Sequence, residues 1–350
     1  EAGLIDMKGA PAATTDSDIL GALLAHGAAD ATLEQAALDL LPTVRGAFCL
    51  TFMDENTLYA ARDPHGVRPL SLGRLDRGWV VASETAALDI VGASFVREVE
   101  PGELLAIDAD GVRSTRFANP EPKSCVFEYV YLARPDSVID GVSVYETRLR
   151  MGEHLADRVA REIPVTEIDV VIPIPDSSRP SAMQLAQRLG RPYREGYVKN
   201  RYIGRTFIMP GQSTRKRSVR QKLNTVTQEF KGKRVLLVDD SIVRGTTSRR
   251  IVTMLKEAGA TEVHVRIASP PMTHPCFYGV DTSTRDELIS ARKEVDGVRE
   301  EICADSLAFL SPGALLRAGN RKDLCMACFT GHYPTALYQS VDEVNKDVKC

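Results

Sequence analysis

The sequence predicts a two-part fold: a β-rich α+β unit over residues 1–122, then an α/β unit over 123–350 built on a parallel sheet. Three observations carry this. Two apolar runs, residues 168–175 and 235–238, read as strands buried on both faces, and each ends in acids and small hydroxyl residues. Each is followed by apolar positions at helical spacing: Ala182, Leu185, Ala186 and Leu189, stopped by Gly190, then Ile251, Met254, Leu255 and Ala258, stopped by Gly259. The alternating Val263, Val265 and Ile267 come next, and strand–helix–strand order of this kind implies parallel pairing. The first 120 residues instead alternate short strand-like runs with turns.

In chain order, Ile19, Leu20, Leu23 and Leu24, then Leu33, Ala36, Ala37 and Leu40, recur at helical spacing, and Asp16 is placed to cap a helix starting near Ile19. Residues 46–52 and 79–83 are strand-like, and Cys49 in the first of them reads as a core residue. Residues 62–70 form a turn punctuated by Pro and Gly. Residues 127–137 connect the two units, and a helical pattern follows near 148–160. Because the strands of the second unit run parallel, the turns at 176–178 and 239–247 should meet at one sheet edge and form one pocket.

Composition sets outer limits. A chain of 350 residues holds two cores, and 43% hydrophobic with 26% charged residues is ordinary for a globular protein. A formal charge of −3 gives no pull toward nucleic acid or an anionic membrane, so neither is an expected partner. No apolar run has spanning length, Glu1, Ala2 and Gly3 do not open a signal peptide, and seven scattered cysteines do not make a secreted disulfide scaffold. The expected location is the cytoplasm.

The stretch VLLVDDSIVRGTTS (235–248) joins a strand end, two acids and a Gly/Thr/Ser loop at a helix start. Backbone N–H groups and the helix dipole there can hold a phosphate, while the acids reach hydroxyls or a metal. A lone acidic pair would be only a solvated turn, and neither the Walker nor the dinucleotide fingerprint is present. The whole pattern resembles the PRPP-binding signature of the type I phosphoribosyltransferases, where PRPP is 5-phosphoribosyl-1-pyrophosphate. From 199 to 222 there are eight Lys or Arg and no acid. Such runs are usually solvated, but this one is broken by Gly204, Pro210 and Gly211 and reads as a basic lid over a phosphate pocket.

Residues 62–70, together with Thr15, Asp16, Ser17 and Asp18 and with Ala82, Ser83 and Glu84, resemble the class II glutamine amidotransferase domain, an N-terminal-nucleophile hydrolase fold. With FEYVYLARPDS, VVIPIPDSS and KNRYIGRTFIMPGQ the chain is similar to the amidophosphoribosyltransferase family of purine synthesis. That resemblance implies the following roles. Asp16 would hold the glutamine α-amino group, and Tyr131 would stand near an ammonia channel. Asp176, Ser177 and Ser178 would form a pyrophosphate loop. Asp239, Asp240, Ser241, Gly245, Thr246 and Thr247, with Ser248, would bind the rest of PRPP. Ser177, Asp239 and Asp240 would serve Mg²⁺, and Lys199, Tyr202 and Arg205 would sit in a flexible catalytic loop. The family's nucleophile is an N-terminal cysteine, whereas this chain opens on Glu1, so the expectation is an incomplete hydrolase domain and a reaction fed by ammonia rather than by glutamine. Feedback inhibition by purine nucleotides and a homotetramer are implied by the family alone.

Cys325, Met326, Ala327 and Cys328 form the one CxxC, which read alone fits zinc, redox chemistry or neither. The resemblance implies one 4Fe-4S cluster on Cys125, Cys276, Cys325 and Cys328, leaving Cys303 and Cys350 as bystanders. Two other readings compete with the transferase: a nucleobase phosphoribosyltransferase, which would leave residues 62–70 unexplained, and a non-catalytic PRPP-sensing regulator, which would want a DNA-binding segment.

Overall fold

The computed structural model describes residues 15–199, 223–280, 282 and 284–335. Where helical spacing runs from Asp18 to Leu41, two helices form, α1 (Asp16–Gly27) and α2 (Leu33–Leu40). Thr32 divides them, its hydroxyl accepting from the Gln35 N–H at 3.2 Å as the cap of α2. Thr15, rather than Asp16, caps α1, accepting from the Asp18 N–H at 3.2 Å. Asp16 is the first helical residue and exposed, where its charge suits the helix dipole.

Seven strands follow: β1 (Cys49–Met53), β2 (Leu58–Arg62), β3 (Ser71–Arg74), β4 (Trp79–Ala82), β5 (Ser94–Glu98), β6 (Glu103–Asp108) and β7 (Gly111–Arg116). They build two antiparallel sheets, β1-β2-β6-β7 and β4-β3-β5. Alternation along β2 and β6 sends Tyr59, Ala61, Leu104 and Ala106 toward α1 and α2. It sends Ala60, Leu105 and Ile107 toward Leu70, Leu72 and Val99. The helix α3 (Thr85–Ile90) leads from β4 to β5.

The junction holds β8 (Ser124–Cys125), a wide π turn over Glu128–Leu132, and the hairpin β9 (Val138–Ile139) with β10 (Val142–Ser143). Then α4 (Val144–Glu162) begins at Ser143, whose hydroxyl accepts from the Glu146 N–H at 3.3 Å.

The second unit contains β11 (Val170–Pro173), α5 (Arg179–Leu189), β12 (Tyr197–Lys199), β13 (Leu223–Thr225), β14 (Arg234–Asp239), α6 (Thr246–Glu257) and β15 (Glu262–Ile267). After these come α7 (Ile289–Arg292), α8 (Val295–Glu301), β16 (Ser306–Phe309), α9 (Pro312–Gly319), β17 (Leu324–Cys325) and α10 (Ala327–Thr330). The sheet order is β11-β14-β15-β16, all parallel, with Val170 opposite Val235 and Val235 opposite Val263. Both faces are covered. Val171, Leu236 and Val238 join the junction core with α4, α5 and α9, while Val170, Ile172, Val235 and Leu237 pack against α6 and α8. At the crossing of α4 and α5, Gly152 comes so close that a Cβ there would lie 2.2 Å from the Ser181 carbonyl oxygen.

Gly190 adopts φ +63° and ends α5, and Gly259, at φ +100°, follows the last turn of α6. Among the described residues, no helix is long and apolar enough to cross a membrane.

Candidate functional site

Parallel pairing carries β11 and β14 to the same edge, and the ladder continues past both strands: the Ile174 N–H donates to the Val238 carbonyl at 2.8 Å. The turns at 174–178 and 239–245 therefore meet. Ser177 donates its hydroxyl to the Asp240 carboxylate, and Ser241 donates to the same carboxylate at 2.5 Å. The Asp240 N–H donates to Asp239 Oδ1 at 2.9 Å. Burial, then the neighbouring acid's charge, raises the Asp239 carboxyl well above the usual carboxylate range. Burial also raises Asp240, opposed by the hydroxyls of Ser177 and Ser241 and by the Arg148 cation. Two adjacent acids, Asp240 buried and Asp239 half-buried, resist joint ionisation, so a divalent cation or a pair of sugar hydroxyls would relieve them.

Gly245 begins α6 in the left-handed conformation (φ +75°), with no side chain capping the helix. The first-turn N–H groups of Thr246, Thr247 and Ser248 are thus left to an anion, with the Thr246 and Thr247 side chains exposed. A Cβ at Gly245 would stand 2.6 Å from Ile289 Cδ1, and the Ile289 N–H donates to the Val243 carbonyl at 3.0 Å. Hence α7 backs the loop from behind.

On the neighbouring turn the Pro175–Asp176 peptide is cis, Asp176 is exposed, and Ser178 donates to the Ile174 carbonyl. Arg179, the first residue of α5, donates to Asp176 at 2.7 Å and to Glu195 at 3.1 Å. Lys199 ends β12, whose antiparallel partner β13 resumes at Leu223. Tyr202 and Arg205 lie outside the described residues. Tyr131, in the wide turn, is 48% exposed and tilts against Phe127 at 6.2 Å.

The four cysteines gather at the junction. Pairing of β8 with β17 sets Cys125 opposite Cys325, and the Cys328 carbonyl accepts from the N–H groups of Thr273 and His274 at 3.1 Å, bringing up the segment that carries Cys276. Burial raises the thiols of Cys125 (to about 12) and Cys328, and the charges of neighbouring cysteines add to it. Among the described residues, no three His, Cys, Asp or Glu groups converge as a site for one metal ion. A multi-iron cluster holds its thiolates farther apart than one ion does, and three buried thiols beside the half-buried Cys276 form a donor set of the kind such a cluster takes. Cys49 is partly buried in the first unit, its thiol directed at the Arg68 and Pro69 carbonyls.

Sequence reasoning missed Arg148, Arg179 and Ile289. Of these only Arg148 left a signal, since it falls on the apolar stripe of Val144, Met151 and Leu155.

A phosphoribosyl transferase domain family matches residues 145–269, and a glutamine amidotransferase domain family matches residues 2–90. The amidophosphoribosyltransferase of Mycobacterium tuberculosis is 64% identical over 344 residues, covering 96% of this chain. This chain spans 64% of that curated relative's length. The Bacillus subtilis amidophosphoribosyltransferase is 50% identical over 333 residues, covering 93% of this chain and 69% of the relative. The solved structure of the B. subtilis glutamine PRPP amidotransferase complexed with ADP and GMP aligns with TM-score 0.86 at 49% identity, covering 95% of this chain and 73% of that one.

Proposed function

This chain belongs to the amidophosphoribosyltransferase family, and from that membership we propose that it transfers ammonia to C1 of PRPP, yielding 5-phosphoribosylamine and pyrophosphate, with glutamine as the nitrogen source of the whole protein. The observation that carries this reading is the junction of Ser177 and Ser241 on the Asp240 carboxylate beside the uncapped start of α6. Asp239 and Asp240 accept from the ribose hydroxyls. The N–H groups and hydroxyls of Ser241 and of Gly245 to Ser248 hold the 5-phosphate, and Asp176, Ser177 and Ser178 face the pyrophosphate. The bond from C1 to the pyrophosphate oxygen breaks as the nitrogen lone pair attacks, and the surplus ammonium proton leaves to solvent. No strong general base is needed, because ammonia is itself the nucleophile. Mg²⁺ held by Ser177, Asp239 and Asp240 would supply charge neutralisation to the leaving pyrophosphate. Lys199, Tyr202 and Arg205 are assigned to catalysis by the family resemblance, Tyr202 and Arg205 lying outside the described residues.

The domain division at 122/123 and a glutamine-facing role for Asp16 belong to the same reading, as do a 4Fe-4S cluster on Cys125, Cys276, Cys325 and Cys328, a homotetramer and a cytoplasmic location. The shared thiol environment supports the cluster, whose role is to staple the first unit's edge to the C-terminal part. A relative solved with ADP and GMP supports purine nucleotides as inhibitors.

The test is pyrophosphate release from PRPP, with ammonium chloride and then with glutamine. Ammonium-supported release is expected, and Asp240→Asn should lower it on the order of a hundredfold. Release with neither nitrogen source would refute the transferase reading.

A further inference from the structure

Arg148 belongs to no motif, yet its guanidinium is enclosed at the junction, 2% exposed. Its Nε donates to the Tyr129 carbonyl and its Nη2 to the Ala133 carbonyl, both at 2.8 Å, so the fork closes over the wide turn. Among the described residues it makes no salt bridge. Burial lowers its pKa, and the charges of Asp240 and Glu84 oppose that shift. A buried cation without an ion pair is costly, and two carbonyls offset only part of that cost.

What lies on either side of it differs. Toward the first unit, Glu84 Oε2 accepts from the Arg134 N–H at 2.8 Å and from the Ser137 hydroxyl at 2.7 Å. Thr85 Oγ1 accepts from the Val138 N–H at 2.9 Å. The start of α3 thereby clasps the segment that follows Ala133 directly. Toward the pocket, the Ser181 hydroxyl donates to the Arg148 carbonyl at 2.8 Å, which places the first turn of α5, just past Ser178, against it. Asp240, the acid joined by Ser177 and Ser241, completes that side.

We propose that Arg148 is a positioning residue that couples the Glu84 clasp of the first unit to the Ser177–Asp240 pocket of the second. The route runs from the half-buried Glu84 clasp through the buried Arg148 to Asp240, each step a hydrogen bond or a Coulombic contact. It rests on the reading of that pocket as the PRPP site.

The test is amide hydrogen exchange on the full chain with and without magnesium PRPP, in the unaltered protein and in Arg148→Met, Arg148→Lys and Glu84→Gln. In the unaltered protein, PRPP is expected to slow exchange at 240–248 and also at 129–138. Arg148→Met should keep the first effect and lose most of the second, with KM for PRPP raised about three- to tenfold. Arg148→Lys retains the charge without the fork and should restore KM but not the remote protection. Glu84→Gln, at the far end, should lose the remote protection while ammonia-supported kcat stays unchanged. Undiminished protection at 129–138 in both Arg148→Met and Glu84→Gln overturns the proposal. So does protection in the unaltered protein that stops at 240–248. Protection in neither region refutes the pocket reading, and this inference falls with it.

Discussion

Asp240 shows how little of the site rests on any one residue type. An acid at a strand end is common. This one is buried, receives two hydroxyl donors from different turns, and lies beside a second acid whose charge works against its own. Gly245 sets the loop that follows. Its positive φ disfavours most side chains, and a Cβ there would force the Ile289 Cδ1 methyl to shift. Gly245→Ala is expected to lower stability by about 1–3 kcal/mol and to raise KM for PRPP, because the strain falls on the phosphate loop itself. Urea unfolding with parallel kinetics checks this. An unchanged KM would show that the loop tolerates the shift.

At the scale of elements, the crossing of α4 and α5 positions the pyrophosphate turn. Gly152 lets the helices meet with the Ser181 carbonyl almost against the α4 backbone, and α5 begins immediately after Ser178. Gly152→Ala must push α5 away from α4, at an expected cost of about 1–3 kcal/mol. Since the displaced helix carries the 176–178 turn, pyrophosphate release should slow as well as stability fall. Thermal unfolding together with ammonium-dependent kinetics separates the two effects. Normal kinetics in a destabilised variant would mean that the turn does not follow its helix.

Across the whole molecule, the two units meet through a buried ionic network. Arg62 of β2 lies 3.3 Å from Glu98 of β5 and 3.4 Å from Asp140, and Arg321 reaches Asp140 at 2.6 Å. Ser124, adjacent to Cys125, donates to Asp140 as well. Burial first, then the hydrogen bond and charge of Asp140, push Glu98 from an ordinary 4.5 up to about 8. Asp140 is held below its ordinary range: burial opposes its charge, but the hydrogen bond from Glu98, the Arg62 cation, Ser124 and Arg321 outweigh it. Glu98 therefore stabilises the fold fully below its ordinary pKa, and that contribution drains away as pH rises toward about 8. Glu98→Gln removes the slope, so its Tm should match the parent near pH 5 and exceed it near pH 8. A Tm difference that does not vary with pH would show that Glu98 stays ionised throughout. The cysteine junction has its own test. Anaerobically purified protein should be brown and contain iron, and Cys125→Ser should lose both and melt earlier; colourless, iron-free protein would remove the cluster from the reading.

Apolar runs such as 235–238 announced a sheet covered on both faces, and the acids at 239 and 240, with Gly245 and the hydroxyl residues after them, marked where its loops would meet a phosphate. These features were legible because strand period, helix stops and anion cradles are local properties of the chain. The bounds of α1 and α2 were less legible, because the helical spacing lapses between Leu24 and Leu33 and a threonine cap rather than an apolar position sets where α2 begins. Nor could the sequence say that Ser177 and Ser241 share one carboxylate, that Ile289 backs Gly245, or that Arg148 feels the charges of both Glu84 and Asp240. Those relations join residues far apart in the chain, and they exist only once parallel pairing and the crossing of α4 and α5 have excluded water and brought the groups within hydrogen-bonding or Coulombic reach.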